Sequence, residues 1–195
     1  MLRRVTGLAL IVLAGGCASG AYYDIDDRYV IGMRWFDRGR YDHAMHYWKP
    51  LAEAGDCDAQ YRYGTLFMLG AGVPKSPATA LEWWQKAANQ GQYRAQVALG
   101  HAYSREAMAE GTFLRRVVLD CREGCEVPED PVTAYTWMLL ARTSVPPSME
   151  EFRQGLGAWQ FKLESRLTPD QKADAGRRAA EWRPSPARCT PRVLK

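Results

Sequence analysis

His43-Ala44-Met45-His46-Tyr47-Trp48-Lys49-Pro50-Leu51-Ala52-Glu53-Ala54-Gly55 returns one period later as Thr79-Ala80-Leu81-Glu82-Trp83-Trp84-Gln85-Lys86-Ala87-Ala88-Asn89-Gln90-Gly91. Ala44 pairs with Ala80, Trp48 with Trp84, Ala52 with Ala88 and Gly55 with Gly91. Beyond them Ala59 pairs with Ala95, Gln60 with Gln96 and Gly64 with Gly100, always at one offset (84 − 48 = 36). Coincident identities at a fixed spacing of this length are the mark of a helical array, in which each repeat is one supersecondary unit. Apolar spacing and punctuation divide the stretch into short helices. One begins at Asp27 and stops at Gly39, and a second, with Asp42 as its expected cap, ends at Gly55. A third, capped by Asp56 or Asp58, runs to the break Gly70-Ala71-Gly72-Val73-Pro74. Ser76-Pro77 opens the fourth, and the fifth starts at Tyr93 and reaches about Ala109.

Helices near this length are marginal alone in water, so neighbours must stack to bury their apolar faces. The repeated alanines allow close approach, and Trp48 and Trp84 are read as filling the space between layers. Gly64 and Gly100 stand in mid-helix, where glycine costs about 1 kcal/mol relative to alanine. Its recurrence at one register points to a crossing too tight for a side chain.

Ala59-Gln60, Tyr63-Gly64, Phe67, Gly70-Ala71-Gly72-Val73, Ala80, Trp83-Trp84, Ala87-Ala88 and Gly91 together resemble the unit of the Sel-1-like repeat family, relatives of the tetratricopeptide repeat. A truncated earlier unit shares Gly32, Phe36 and Gly39-x-Tyr41-Asp42-x-Ala44. Pro131 to Ala141 matches the second helix again, displaced by a longer interval (134 − 80 = 54) that holds Cys121 and Cys125. The resemblance implies an all-α, right-handed superhelical α-solenoid of antiparallel helix pairs. Two more helices, Glu150 to Leu167 and one started by Thr168-Pro169, supply a helical C-terminal cap. The expected organisation is a signal segment over 1–17, a tether over 18–26 and repeats over 27–145 with an insert near 110–130. Capping helices then fill 146–184 and a tail 185–195.

The first residues are a separate matter. Met1-Leu2-Arg3-Arg4 is a basic head, and the apolar run Val5 to Ala14 is shorter than the roughly 20 residues that span a bilayer. Leu13-Ala14-Gly15-Gly16-Cys17 resembles a bacterial lipoprotein signal, which implies lipidation of Cys17, with Ala14 departing from the usual leucine. Ala18 after the cysteine resembles the signal for the outer membrane, so the expected location is its periplasmic face. The alternative is a plain secretory signal and a soluble periplasmic protein. Loss of Arg3 and Arg4 reduces the formal charge from +4 to +2, which gives no case for nucleic acid. Basic residues gather late, at Arg177, Arg178, Arg183, Arg188, Arg192 and Lys195.

Four further cysteines in an exported chain read as disulfides. The expected pairs are Cys121 with Cys125, around Gly124, and Cys57 with Cys189, tying the tail to the first repeat. Cys121 and Cys125 as half of a zinc site is the alternative.

Little in the sequence speaks for catalysis. His43 and His46 share a helix face without a carboxylate or cysteine to complete a metal set, and His101 lies elsewhere. Gly70-x-Gly72 lacks the rest of a phosphate loop, and no Gly-x-Ser-x-Gly turn is present. No enzyme, no metal, no cofactor and no small-molecule substrate is expected. With Gly32, Gly64 and Gly100 in register, Tyr29/Tyr61/Val97, Met33/Thr65/His101 and Phe36/Met68/Ser104 fall on one face. Ile31/Tyr63/Leu99 and Trp35/Phe67/Tyr103 fall on another, read as core. The first face, with Arg62, is the expected partner-binding groove, and the resemblance implies a protein or peptide partner in the cell envelope. The alternative for the same residues is packing between layers. The rival functions are a peptidoglycan-binding or cell-wall-modifying factor and a spacer without a ligand.

Overall fold

The structure is a computed structural model that describes residues 25–104, 127–185 and 189. Cys17, the signal segment, most of the tether, Cys121, Cys125 and most of the last ten residues lie outside the described residues. Among the described residues there are eight helices and no strand. They are α1 (Ile25–Asp37), α2 (Tyr41–Glu53), α3 (Cys57–Leu69), α4 (Pro77–Asn89), α5 (Tyr93–Ser104), α6 (Pro131–Ser144), α7 (Glu150–Glu164) and α8 (Pro169–Glu181). Each of α1 to α6 packs on the next in sequence, and α6 also carries α7 and α8. That succession of neighbour contacts is an α-solenoid with a helical end.

The punctuation acts as its chemistry dictates. Asp56 accepts the Ala59 N–H at 2.8 Å and so starts α3. Ser76 caps α4 with Pro77 behind it, and Thr168 forms a reciprocal capping box with Gln171 at α8. Asp130 does the same for α6, accepting the Thr133 N–H at 3.0 Å. The α5 start uses an unusual acceptor, the Gln92 side chain, which takes the Ala95 N–H at 3.1 Å. Asp42 is not a cap. The N-cap position of α2 is Arg40, with no side-chain bond, and Asp42 lies inside the first turn near Arg40 and His43. At Gly70 the chain turns out of α3 with φ 65°, a left-handed conformation in which a Cβ is strained.

Trp48 and Trp84 are fully buried and set the layer spacing. A Cβ built on Gly32 would lie 2.3 Å from the Trp48 Nε1, and one on Gly64 2.9 Å from the Trp84 Cδ1. The glycines are therefore pits that receive indole rings. Each indole N–H donates at 3.1 Å to the carbonyl three residues before the pit, Trp48 to Tyr29 and Trp84 to Tyr61. A second repeated lock is polar. Gln60 donates to the Ala52 carbonyl at 3.1 Å and Gln96 to the Ala88 carbonyl at 3.2 Å, closing the α2–α3 and α4–α5 corners alike.

The third layer departs from this plan. Met138 stands where Trp84 stood (138 − 54 = 84), and Gly100 is met instead by Trp159 of α7, whose Cη2 would be 2.4 Å from an added Cβ. The tail then returns to the middle of the array. Ser185 N–H donates to the Asn89 carbonyl at 2.7 Å and Cys189 N–H to the Gln90 carbonyl at 3.0 Å. Cys189 is disulfide-bonded to Cys57, with the Cα atoms 5.8 Å apart. This is the pairing expected from the sequence.

Candidate functional site

The face read as a groove is for the most part interior. Tyr29, Tyr61, Thr65, Met68, Val97 and His101 are at most 3% exposed, and Phe36 is 9% exposed. Ser104, at the end of the third row, is buried too. Only Met33 and Arg62 of the nine groove candidates are part-exposed. The reason is architectural: α3 packs on both α2 and α4, and α5 on both α4 and α6, so each inner helix is covered by two neighbours. Ten of the thirteen residues of α3 are buried. The rows read as core are less enclosed in places, since Ile31, Trp35, Phe67 and Tyr103 are part-exposed while Tyr63 and Leu99 are buried.

What these rows build is a polar and aromatic seam across α1, α3 and α5. Arg62 Nε donates to the Tyr29 hydroxyl at 3.4 Å, and its guanidinium carbon is 5.7 Å from the centre of the Tyr61 ring. One layer on, the Arg94 guanidinium carbon stands 4.6 Å from the Tyr93 ring centre. Gln92 Nε2 donates to the Asp58 carboxylate at 2.7 Å, and Gln90 Nε2 to the Gln60 side-chain carbonyl at 2.8 Å, so the two units are joined at their corners. Burial pushes the Tyr29 and Tyr61 phenols up and takes Tyr93 to about 12, with the arginines pulling the other way. For Arg62, burial opposes the charge, but Tyr29, Tyr61 and Asp58 outweigh it and raise the value above the ordinary one. Arg62 thus stays a cation. Arg62 and Arg94 keep part of their surface in solvent. Two guanidiniums on tyrosine rings are chemistry for recognising carboxylates and aromatic or peptide groups, not for acid–base turnover.

The histidines separate. His43 stacks on Trp35 at 4.5 Å and meets Arg40 at 2.8 Å, His46 lies edge-on to Tyr47, and His101 stacks on Trp159 at 3.8 Å. Among the described residues no group of His, Cys, Asp or Glu is arranged to hold a metal. Of the late arginines, Arg177 and Arg178 both reach Asp174, and Arg183 donates to the Ala180 carbonyl. A cleft of about 480 Å³ lies where Ser76, Pro77 and Leu81 of the α4 start face Tyr103 and Val127. No sequence motif marked it, because Val127 comes from the end of the insert and the rest of those walls from the repeats before it.

Three stretches of the chain match the Sel1 repeat, residues 32–56, 57–92 and 122–143. No curated protein matches it. Among solved structures, the chain is similar to a protective antigen present in uropathogenic Escherichia coli strains, whose crystal structure displays an SLR fold. The two are 25% identical with a TM-score of 0.62, over 82% of this chain and 30% of that one. The chain therefore spans under a third of that protein's length.

Proposed function

We propose, on the premise that this chain belongs to the Sel1 repeat family, that it is a scaffold holding a protein or peptide partner in the bacterial cell envelope. Repeats of this family generally mediate protein–protein contacts on a non-catalytic frame. The observation that carries the proposal is the pair of part-exposed arginines, Arg62 and Arg94, whose guanidiniums are each set on a buried tyrosine by successive units of the array. Arginine and tyrosine, with tryptophan, are enriched among the few residues that carry most of the binding energy at recognition surfaces. Support for the envelope comes from the sequence: the basic head, the short apolar run and Cys17. Two acyl chains on Cys17, at about 0.8 kcal/mol per buried CH₂, would hold the domain at the membrane. Among the described residues no helix is long and apolar enough to cross a membrane.

The test has two arms. Cross-linking in intact cells followed by capture is done with the wild-type chain and with the double variant Arg62→Glu, Arg94→Glu. A partner captured by the first and lost from the second, with unchanged circular dichroism, supports the scaffold; identical capture by both overturns the assigned face. Mass spectrometry of the mature N-terminus is expected to find acylated Cys17. An unmodified start beyond residue 17 removes the anchor.

A further inference from the structure

The seam of Arg62 and Arg94 opens at the end of the array where the chain enters it. In the register of the mid-helix glycines, Tyr93 stands seven residues before Gly100 (100 − 93 = 7) and Arg94 six. Ile25, the first residue of α1, also stands seven before its glycine, Gly32 (32 − 25 = 7). The start of α1 is therefore level with Tyr93 and Arg94. Arg62, two before Gly64, sits between them and about one helical turn deeper. The bond from Arg62 to the Tyr29 hydroxyl ties α1 to α3. Both guanidiniums act on Tyr29 and Tyr61, so the two cations share one surface.

The chain reaches α1 through residues 18–24, outside the described ones, and the last three are Tyr22-Tyr23-Asp24. Their chemistry matches the seam: a carboxylate bonds a guanidinium, and aromatic rings stack on its flat faces. Their reach matches too. Two steps of about 10 Å between packed helices lead from α1 to α5, and six extended residues cover about 20 Å. We propose that Tyr22-Tyr23-Asp24 turns back across the seam, with the Asp24 carboxylate on Arg62 and the two rings over Arg94. The chain's own entry segment is then the resident occupant of this surface. On the scaffold reading, a partner taking the seam displaces this segment and so lengthens the tether between Cys17 and the array.

Arginine labelling of the full chain with phenylglyoxal, mapped by mass spectrometry, tests this. It needs no partner, so its failure leaves the scaffold reading standing. The variant is Tyr22→Ser, Tyr23→Ser, Asp24→Ser, since serine before Ile25 can still cap α1. Arg62 and Arg94 should react at least fivefold faster in the variant, with circular dichroism unchanged. Arg34, exposed on α1, should react equally in both, which separates uncovering of the seam from fraying of the helix. In the reciprocal arm, Arg62→Glu with Arg94→Glu should raise iodination of Tyr22 and Tyr23 at least threefold. Unchanged labelling of Arg62 and Arg94 overturns the proposal, as does an acceleration shared by Arg34 or unchanged iodination in the reciprocal arm.

Discussion

The first two layers and the third solve one packing problem in different ways. At Gly32 and Gly64 the incoming ring belongs to the second helix of the pair, and its indole N–H is anchored on the carbonyl of Tyr29 or Tyr61. At Gly100 the ring is Trp159, brought from outside the repeat by α7, while the equivalent place on α6 holds Met138. The Trp159 N–H is buried with no acceptor among the described residues. A pit accepts any ring of the right thickness, but only the repeated geometry also satisfies the ring's polar edge. The third layer thus keeps the volume of the motif and loses its hydrogen bond.

The largest expected effect comes from emptying the pits. Trp84→Ala should cost about 3–5 kcal/mol, the usual range for a fully buried tryptophan, and Trp159→Ala less because that ring lies at the end of the array. Urea unfolding of both variants measures the gap, and equal losses would erase the distinction between layers.

The second effect concerns the tie between the layers and the tail. Cys57 and Cys189 are 132 residues apart in sequence. Removing a native disulfide typically costs about 2–5 kcal/mol, with long loops towards the upper end in the chain-entropy model. Cys57→Ser with Cys189→Ser should lower the melting temperature, and hydrogen exchange should rise around Asn89 and Gln90, whose carbonyls the tail covers. An unchanged melting temperature would show the strap to be inert.

A smaller and sharper contrast removes only the N–H. Trp48→Phe and Trp84→Phe should each cost about 1 kcal/mol more than Trp159→Phe, since a net hydrogen bond is worth about that amount. Equal costs at all three positions, read from urea midpoints, would mean that the anchoring bonds add nothing.

The smallest effect is on pH dependence. Burial raises the Tyr29, Tyr61 and Tyr93 phenols above the unfolded value near 10, Tyr93 to about 12. Below pH 10 both folded and unfolded states hold these protons and the contribution is complete. Above it the unfolded chain ionises first, so stability falls as pH climbs towards 12. Absorbance of tyrosinate at rising pH should show a late fraction that coincides with unfolding. Titration of every tyrosine near 10 would place these rings in water.

Much of this arrangement is legible in the residues. The 36-residue offset, the paired tryptophans, the mid-helix glycines, the caps at Asp56, Ser76 and Thr168, and the Cys57–Cys189 pair each have a local physical signal. The groove rows did not, because a helical period marks which side chains share a face and is silent on how many neighbours cover it. In α3 nearly all faces are covered, so Tyr61, Thr65 and Met68 became interior. Asp130-Pro131 had the same cap-then-proline form as Ser76-Pro77 and was readable in principle. Trp159 was not, since no repeat register connects α7 to Gly100.

The central claim is that glycine pits and tryptophan rings are fitted to one another, and a double-mutant cycle at Gly32 and Trp48 tests it most directly. All the nearest atoms to a Cβ at Gly32 belong to the Trp48 ring. With Trp48 present, Gly32→Ala should destabilise the fold in urea. In a Trp48→Leu background the same change should be neutral or stabilising by up to about 1 kcal/mol, the helix preference of alanine over glycine. Effects that add to within about 0.5 kcal/mol, as for residues not in contact, would contradict the fit.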